Sequence, residues 1–171
     1  NIETRLDDYK KSFNFWINNT NVNKIIFIEN SGYDLTFFKN LAKSNQNKEI
    51  EILSTNSNNF LDKKRGKGFG EHTCLKEVFD LSEISKKTNY YIGVTGRHCV
   101  NNFDIILKDI ISNNTDIYIN LSDNLKFSDT NIYGGSKKFF LEYVLPETKK
   151  TTDIENYFFE NHVANATLKA V

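Results

Sequence analysis

The chain has 171 residues, with 22 Lys and Arg against 22 Asp and Glu, so its formal net charge is zero. That balance argues against a general nucleic-acid binder, which carries a basic excess. Hydrophobic residues make up 39% and aromatic residues 13%, enough to pack one domain in a chain too short for two comfortable ones.

Ile2, Leu6, Tyr9, Phe13, Trp16 and Ile17 recur at spacings of three and four, which predicts an amphipathic first helix with Trp16 anchoring it to a sheet. Ile25, Ile26, Phe27 and Ile28 form a short continuous apolar run, the mark of a buried parallel strand. Turn residues follow, and Asp34 is placed to cap a helix whose apolar face is Leu35, Phe37, Phe38 and Leu41. Residues 50–54 read as the next strand. A polar loop over 55–64 leads into the glycine-rich stretch from Arg65 to Glu71. A helix to about Asp80, a short helical piece over 82–87 and a strand over 90–94 come next. In the second half Phe103, Ile106, Leu107, Ile110 and Ile111 form a helical stripe, and 116–121 alternates like a strand. Residues 129–136 contain a short strand with Gly134 and Gly135. Phe139, Phe140, Tyr143 and Val144 predict a helix that stops before Pro146, the only proline. The last helix is expected from Asp153 to about Leu168.

This alternation of strands and helices predicts an α/β sheet, in which ligands sit beyond the carboxyl ends of the strands. Three polar, glycine-containing loops fall on that edge: 29–34, 55–71 and 95–99. In the second, Gly66, Gly68 and Gly70 stand at alternate positions beside Arg65 and Lys67, directly before a helix. Free N–H groups and positive charge there suit a phosphate; a solvated flexible loop is the competing reading. Cys74 and Cys99 lack metal-like spacing and read as reduced thiols. No apolar run approaches the ~20 residues of a membrane span, and no signal peptide is recognisable, which points to a cytoplasmic protein. No Met occurs, so the chain is expected to begin inside a longer gene product.

Residues 25–34, ending in Glu29, Asn30, Ser31, Gly32, Tyr33 and Asp34, resemble the second strand and loop of GT-A glycosyltransferases. Four further pieces, in order, resemble a group of bacterial glycosyltransferases of surface polysaccharides: Arg65 to Glu71; Val94, Thr95, Gly96 and Arg97; 129–136 with Lys137, Lys138, Phe139 and Phe140; and Phe159 and Glu160 before His162 and Val163. The resemblance implies a single GT-A-like domain over 1–171, Rossmann-type, with a mostly parallel sheet flanked by helices. Residues 1–98 would be its nucleotide-binding half and 99–171 its acceptor and catalytic half. It further implies sugar transfer from a nucleotide-sugar donor to a glycan or glycolipid acceptor such as a lipopolysaccharide or capsule chain, with peripheral association at the inner face of the cytoplasmic membrane. Glu29, Asn30 and Ser31 would touch the base or ribose. Arg65, Lys67, Gly68, Thr95, Gly96 and Arg97 would serve the diphosphate, Glu71 would belong to the donor site with them, and Asp129 and Glu160 would be the catalytic carboxylates.

The chain departs from that pattern twice. It has no Asp-X-Asp, so either a lone carboxylate (Asp104 or Asp129) holds a divalent cation, Mg²⁺ or Mn²⁺, or none is used and Arg97, Lys67 and Arg65 offset the diphosphate charge. The sheet also begins without the strand that normally opens it, so ten to twenty upstream residues are expected outside this sequence. Bland readings stand beside the functional ones. Arg97 can brace the sheet edge through an ion pair, Glu29 to Ser31 can simply close a turn, Glu71 can serve the helix dipole, and His98 and His162 can be structural. A nucleotidyltransferase and a non-catalytic nucleotide-sugar-binding or scaffold domain are the alternative functions.

Overall fold

The computed structural model describes residues 2–171, Ile2 by its backbone alone. The first half alternates as the periodicity predicts: α1 (Ile2–Asn18), β1 (Lys24–Glu29), α2 (Thr36–Ser44) and β2 (Glu49–Ser54). β1 and β2 pair in parallel, with Lys24 opposite Glu49 and Glu29 opposite Ser54. Asp34 accepts from the backbone N–H and the hydroxyl of Thr36, at 2.9 and 2.6 Å, in the turn before α2, but the N-cap position itself is taken by Leu35, which has no side-chain cap bond. Phe13 of α1, Phe27 of β1 and Phe38 of α2 meet ring to ring at 4.6–5.4 Å. With Ile17 and Leu35 they make the first of two apolar cores.

A different sheet follows. α3 (Lys67–Leu81) and α4 (Glu83–Lys86) lead to β3 (Tyr90–Val94), then α5 (Phe103–Ser112), β4 (Ile117–Ser122) and β5 (Phe127–Ser136). β5 lies between β3 and β4 and runs antiparallel to both. The α/β class therefore holds, but parallel pairing is limited to β1 and β2 rather than running through most of the sheet. β1 is paired only with β2 and β3 only with β5 among the described residues, so each keeps one edge without a ladder partner.

The residues after β5 form a helical stretch over 137–148. It comprises α6 (Lys137–Phe139), a π turn (Phe140–Val144) and α7 (Leu145–Thr148). It does not stop before Pro146. The wider π turn ends at Val144, and Pro146 is the second residue of α7, in the first turn of which a missing N–H costs least. A 3₁₀ turn (Asp153–Glu155) precedes α8 (Phe159–Ala170). The final helix thus starts six residues later than the sequence pattern suggests, because Asn156 adopts left-handed φ of 51° and breaks the run. Phe140, Val144 and Val163 are fully buried, and with Tyr133, Phe139 and Phe159 they form the second core, on β5. Each such side chain contributes about 1.5–3 kcal/mol by leaving water.

Contacts on two sides of the molecule join the parallel pair to the elements around the antiparallel sheet. Glu51 of β2 accepts from the Ser82 hydroxyl and from the N–H groups of Glu83 and Ile84. Its carboxyl lies below the ordinary value: burial acts to raise it, and the hydrogen bonds at α4 outweigh that. On the other side, His98 O accepts from Ser12 Oγ at 2.9 Å and Trp16 Nε1 at 3.0 Å, and the Trp16 ring packs edge-on against Phe103. Trp16 therefore anchors α1 to the loop after β3 and to α5, not to a sheet.

Candidate functional site

The carboxyl ends of β1 and β2 lie side by side, and their loops are stitched together. Thr55 N donates to Glu29 O, and Asn58 N to Asn30 O, both at 2.9 Å. Glu29 turns its carboxylate back on its own loop, accepting from Ser31 N at 2.8 Å and Tyr33 N at 3.0 Å. Ser31 is exposed and Asn30 half-buried. Beyond β3, Thr95 N donates to Asn131 O, and Gly96 faces the Tyr9 ring. Arg97 is half-buried, and its Nε is buried without a hydrogen-bond partner. Among the described residues no carboxylate forms an ion pair with it.

The glycine-rich stretch is bound to the far end of the chain. Arg65 donates through Nε and Nη2 to Thr151 O and through Nη2 to Lys149 O, and its guanidinium lies 3.4 Å from the Phe69 ring centre. Its head group is engaged there rather than turned to a ligand. A Cβ on Gly68 would come 2.7 Å from Thr151 Cγ2 and 3.1 Å from Phe159 Cβ. The missing side chain at Gly68 thus serves the close approach of α3 and α8. Asp153 accepts from Lys67 N at 3.1 Å, so the amino end of α3 already carries an anion of the protein's own.

Behind this junction the α8 start is fixed against the β4–β5 hairpin. Ser128 Oγ donates to Glu160 O at 2.8 Å, Asn161 Nδ2 to Lys126 O at 2.9 Å, and Phe158 N to Asn161 Oδ1 at 3.0 Å. The result is a cavity of ≈ 310 Å³. Lys67, Gly68 and Glu71 of α3 line one side, Asp153, Phe158 and Glu160 the other, with Phe127 between them. An adjoining cavity of ≈ 330 Å³ shares Phe127 and Glu160 and runs over Asp129, Asn120 and Asn131.

The structure thus brings Lys67, Gly68, Glu71 and Glu160 together, and sets Asp129 beside Glu160. Glu29, Asn30, Ser31, Thr95, Gly96 and Arg97 line neither cavity. The Cys74 thiol of α3 is pushed up to about 12, chiefly by burial and then by the Glu77, Glu29 and Glu71 carboxylates. Asp104 is occupied at the α1–β1 loop, where it accepts from Asn21 N and Nδ2. Among the described residues no group of three or more His, Cys, Asp or Glu is arranged to hold a metal ion.

Glu71 sits at the cavity with its carboxyl shifted from the ordinary range. Its affinity for a proton is raised, first by burial and further by Glu160 and Asp153, while Lys67 at 3.2 Å acts to lower it. Sequence reasoning assigned Glu71 to the donor and overlooked Phe127, Phe158, Asn120 and Asn131. Nothing local marks those four. The β4–β5 pairing brings Asn120, Phe127 and Asn131 together, and the packing of α8 on that hairpin adds Phe158.

No family model and no curated protein matches the chain. Among solved structures it is similar to HddC from Yersinia pseudotuberculosis, at 16% identity and a TM-score of 0.43, over 86% of this chain and 67% of that one. Among the described residues no helix is long and apolar enough to cross a membrane.

Proposed function

We propose that the chain transfers a sugar from a nucleotide-activated donor to a glycan acceptor of a bacterial surface polysaccharide. The observation that carries this reading is the meeting of Glu71 and Glu160, 89 positions apart in the sequence, in one cavity that raises the proton affinity of the Glu71 carboxyl. Inverting sugar transfer needs one carboxylate to take the acceptor hydroxyl's proton as its oxygen attacks the anomeric carbon. A raised pKa brings such a base closer to the operating pH. On this reading Glu71 takes the proton and Glu160 orients the acceptor hydroxyl by hydrogen bonding. Arg97, whose Nε is buried with no hydrogen-bond partner among the described residues, offsets the charge of the departing nucleoside diphosphate. The enzyme would work in the cytoplasm, at the inner face of the membrane where a lipid-linked acceptor is presented.

Titration with UDP-, GDP- and CMP-linked sugars, with and without Mn²⁺, tests the reading. Binding of one sugar nucleotide with slow donor hydrolysis is expected. Arg97→Ala should lose donor binding, and Glu71→Gln should keep binding and lose turnover. Binding without turnover would leave a scaffold instead, and preference for ATP or CTP over every sugar nucleotide would leave a nucleotidyltransferase.

A further inference from the structure

We infer that the acceptor is a neutral saccharide of at least two units, lying across both cavities with Phe127 and Glu160 on the wall they share. The role as acceptor rests on the sugar-transfer reading, but the binding site does not. Each cavity, at ≈ 310 and ≈ 330 Å³, is of small-ligand size, and the two adjoin. A ligand filling the first therefore meets the second as a continuation of its own path.

The linings specify the chemistry. In the first cavity Phe127 and Phe158 supply apolar lining suited to the C–H surface of a sugar ring, and the Glu71 and Glu160 carboxylates supply acceptors for its hydroxyls. In the second, Asn120 and Asn131 are exposed on neighbouring strands, and their side-chain amides have no protein partner among the described residues. Asn120 stands opposite Asp129 next to a register shift in the β4–β5 ladder, where a bulge re-aims side chains. Asp129 accepts from Asn131 N at 2.9 Å, which holds that edge in place. Amides that both donate and accept suit vicinal hydroxyls. Charge excludes acidic sugars: the two cavities carry Glu71, Asp153, Glu160 and Asp129 against Lys67, and Lys67 is already paired with Glu71. A carboxylated ligand would meet like charge.

The test uses the whole chain without donor, titrated by NMR with methyl glucoside, galactoside and mannoside, the corresponding neutral disaccharides, and a glucuronic-acid disaccharide. At least one neutral disaccharide should bind about tenfold more tightly than its methyl monosaccharide and shift the side-chain amide signals of Asn120 and Asn131. In Asn131→Ala the gain should vanish while monosaccharide affinity stays; this exposed position does not threaten folding. The glucuronic-acid disaccharide should bind more weakly than its neutral counterpart. Absence of binding by every sugar, equal affinity for one and two units, or a gain that survives Asn131→Ala would overturn the inference. Failure of every sugar nucleotide to bind, with disaccharide binding intact, would instead sink the transfer reading and leave a glycan-binding cleft.

Discussion

The Asp153 carboxylate accepts from Lys67 N at 3.1 Å, and its Oδ2 lies 1.7 Å from where a Cβ on Gly66 would stand. A turn that resembles a phosphate cradle in sequence is therefore filled by the chain's own anion. Gly66 has φ 80° and ψ −170°, a region essentially reserved for glycine. Gly66→Ala should cost at least about 2 kcal/mol, from backbone strain together with displacement of Asp153. Asp153→Ala, which only removes the cap, should cost about 1 kcal/mol. Urea denaturation of the two variants measures both, and a Gly66→Ala protein as stable as wild type would contradict the assignment.

Arg65 fastens 149–151 to the start of α3 through three hydrogen bonds to two carbonyls and a stack on Phe69. A lysine ammonium at this position is a point charge and cannot reproduce the planar fork. Arg65→Lys is expected to lose roughly 1–2 kcal/mol and to speed tryptic cleavage after Lys149 and Lys150. Limited proteolysis followed by mass spectrometry reads that change directly, and unaltered cleavage rates would count against a fastening role.

His72 makes stability depend on pH. The Thr148 hydroxyl donates to Val144 O, so its oxygen accepts from His72 Nδ1–H at 2.9 Å, which fixes the neutral tautomer. Burial, then the neighbouring Arg65, holds the imidazole down at about 4 from an ordinary 6.5. The unfolded chain takes the proton first, so this stabilisation is complete above pH 6.5 and is lost as the pH falls toward 4. His162 acts in the same direction, again through burial. Glu71, raised from 4.5, opposes them: its contribution is full below pH 4.5 and is lost as the pH rises through its folded value. His72→Asn should flatten the fall in denaturation midpoint between pH 6.5 and 4. An unchanged slope would rule out His72 as its source.

At the cavity, Glu71→Gln keeps shape and removes the base. Turnover should fall about 10²–10⁴-fold with donor affinity unchanged. The acidic limb of the wild-type rate profile, set by the raised Glu71 carboxyl, should disappear. Loss of donor affinity in this variant, with the acidic limb retained, would return Glu71 to the donor-binding role that the sequence suggested.

The local elements of the first half were legible in the chain itself. The 3.6-residue apolar spacing of α1, the continuous run Ile25 to Ile28 and the turn chemistry around Asp34 depend on near neighbours, so they predict α1, β1 and α2 closely, with the N-cap of α2 one residue later, at Leu35. The glycine-rich stretch and Glu160 were also visible as chemistry without a location. Tertiary structure alone decided the rest, because each decision joins residues far apart in sequence. β5 became a ten-residue central strand by pairing on both edges, which no property of 127–136 announces. The space beside Gly66 and Gly68 was settled by Asp153, Thr151 and Phe159, more than 80 positions away. The helix runs on through Pro146 because a π turn moves the proline to a first turn. The proton affinity of Glu71 was raised by its partial burial at the cavity it shares with Glu160: composition fixes which groups can titrate, and only packing fixes how far each is withdrawn from water.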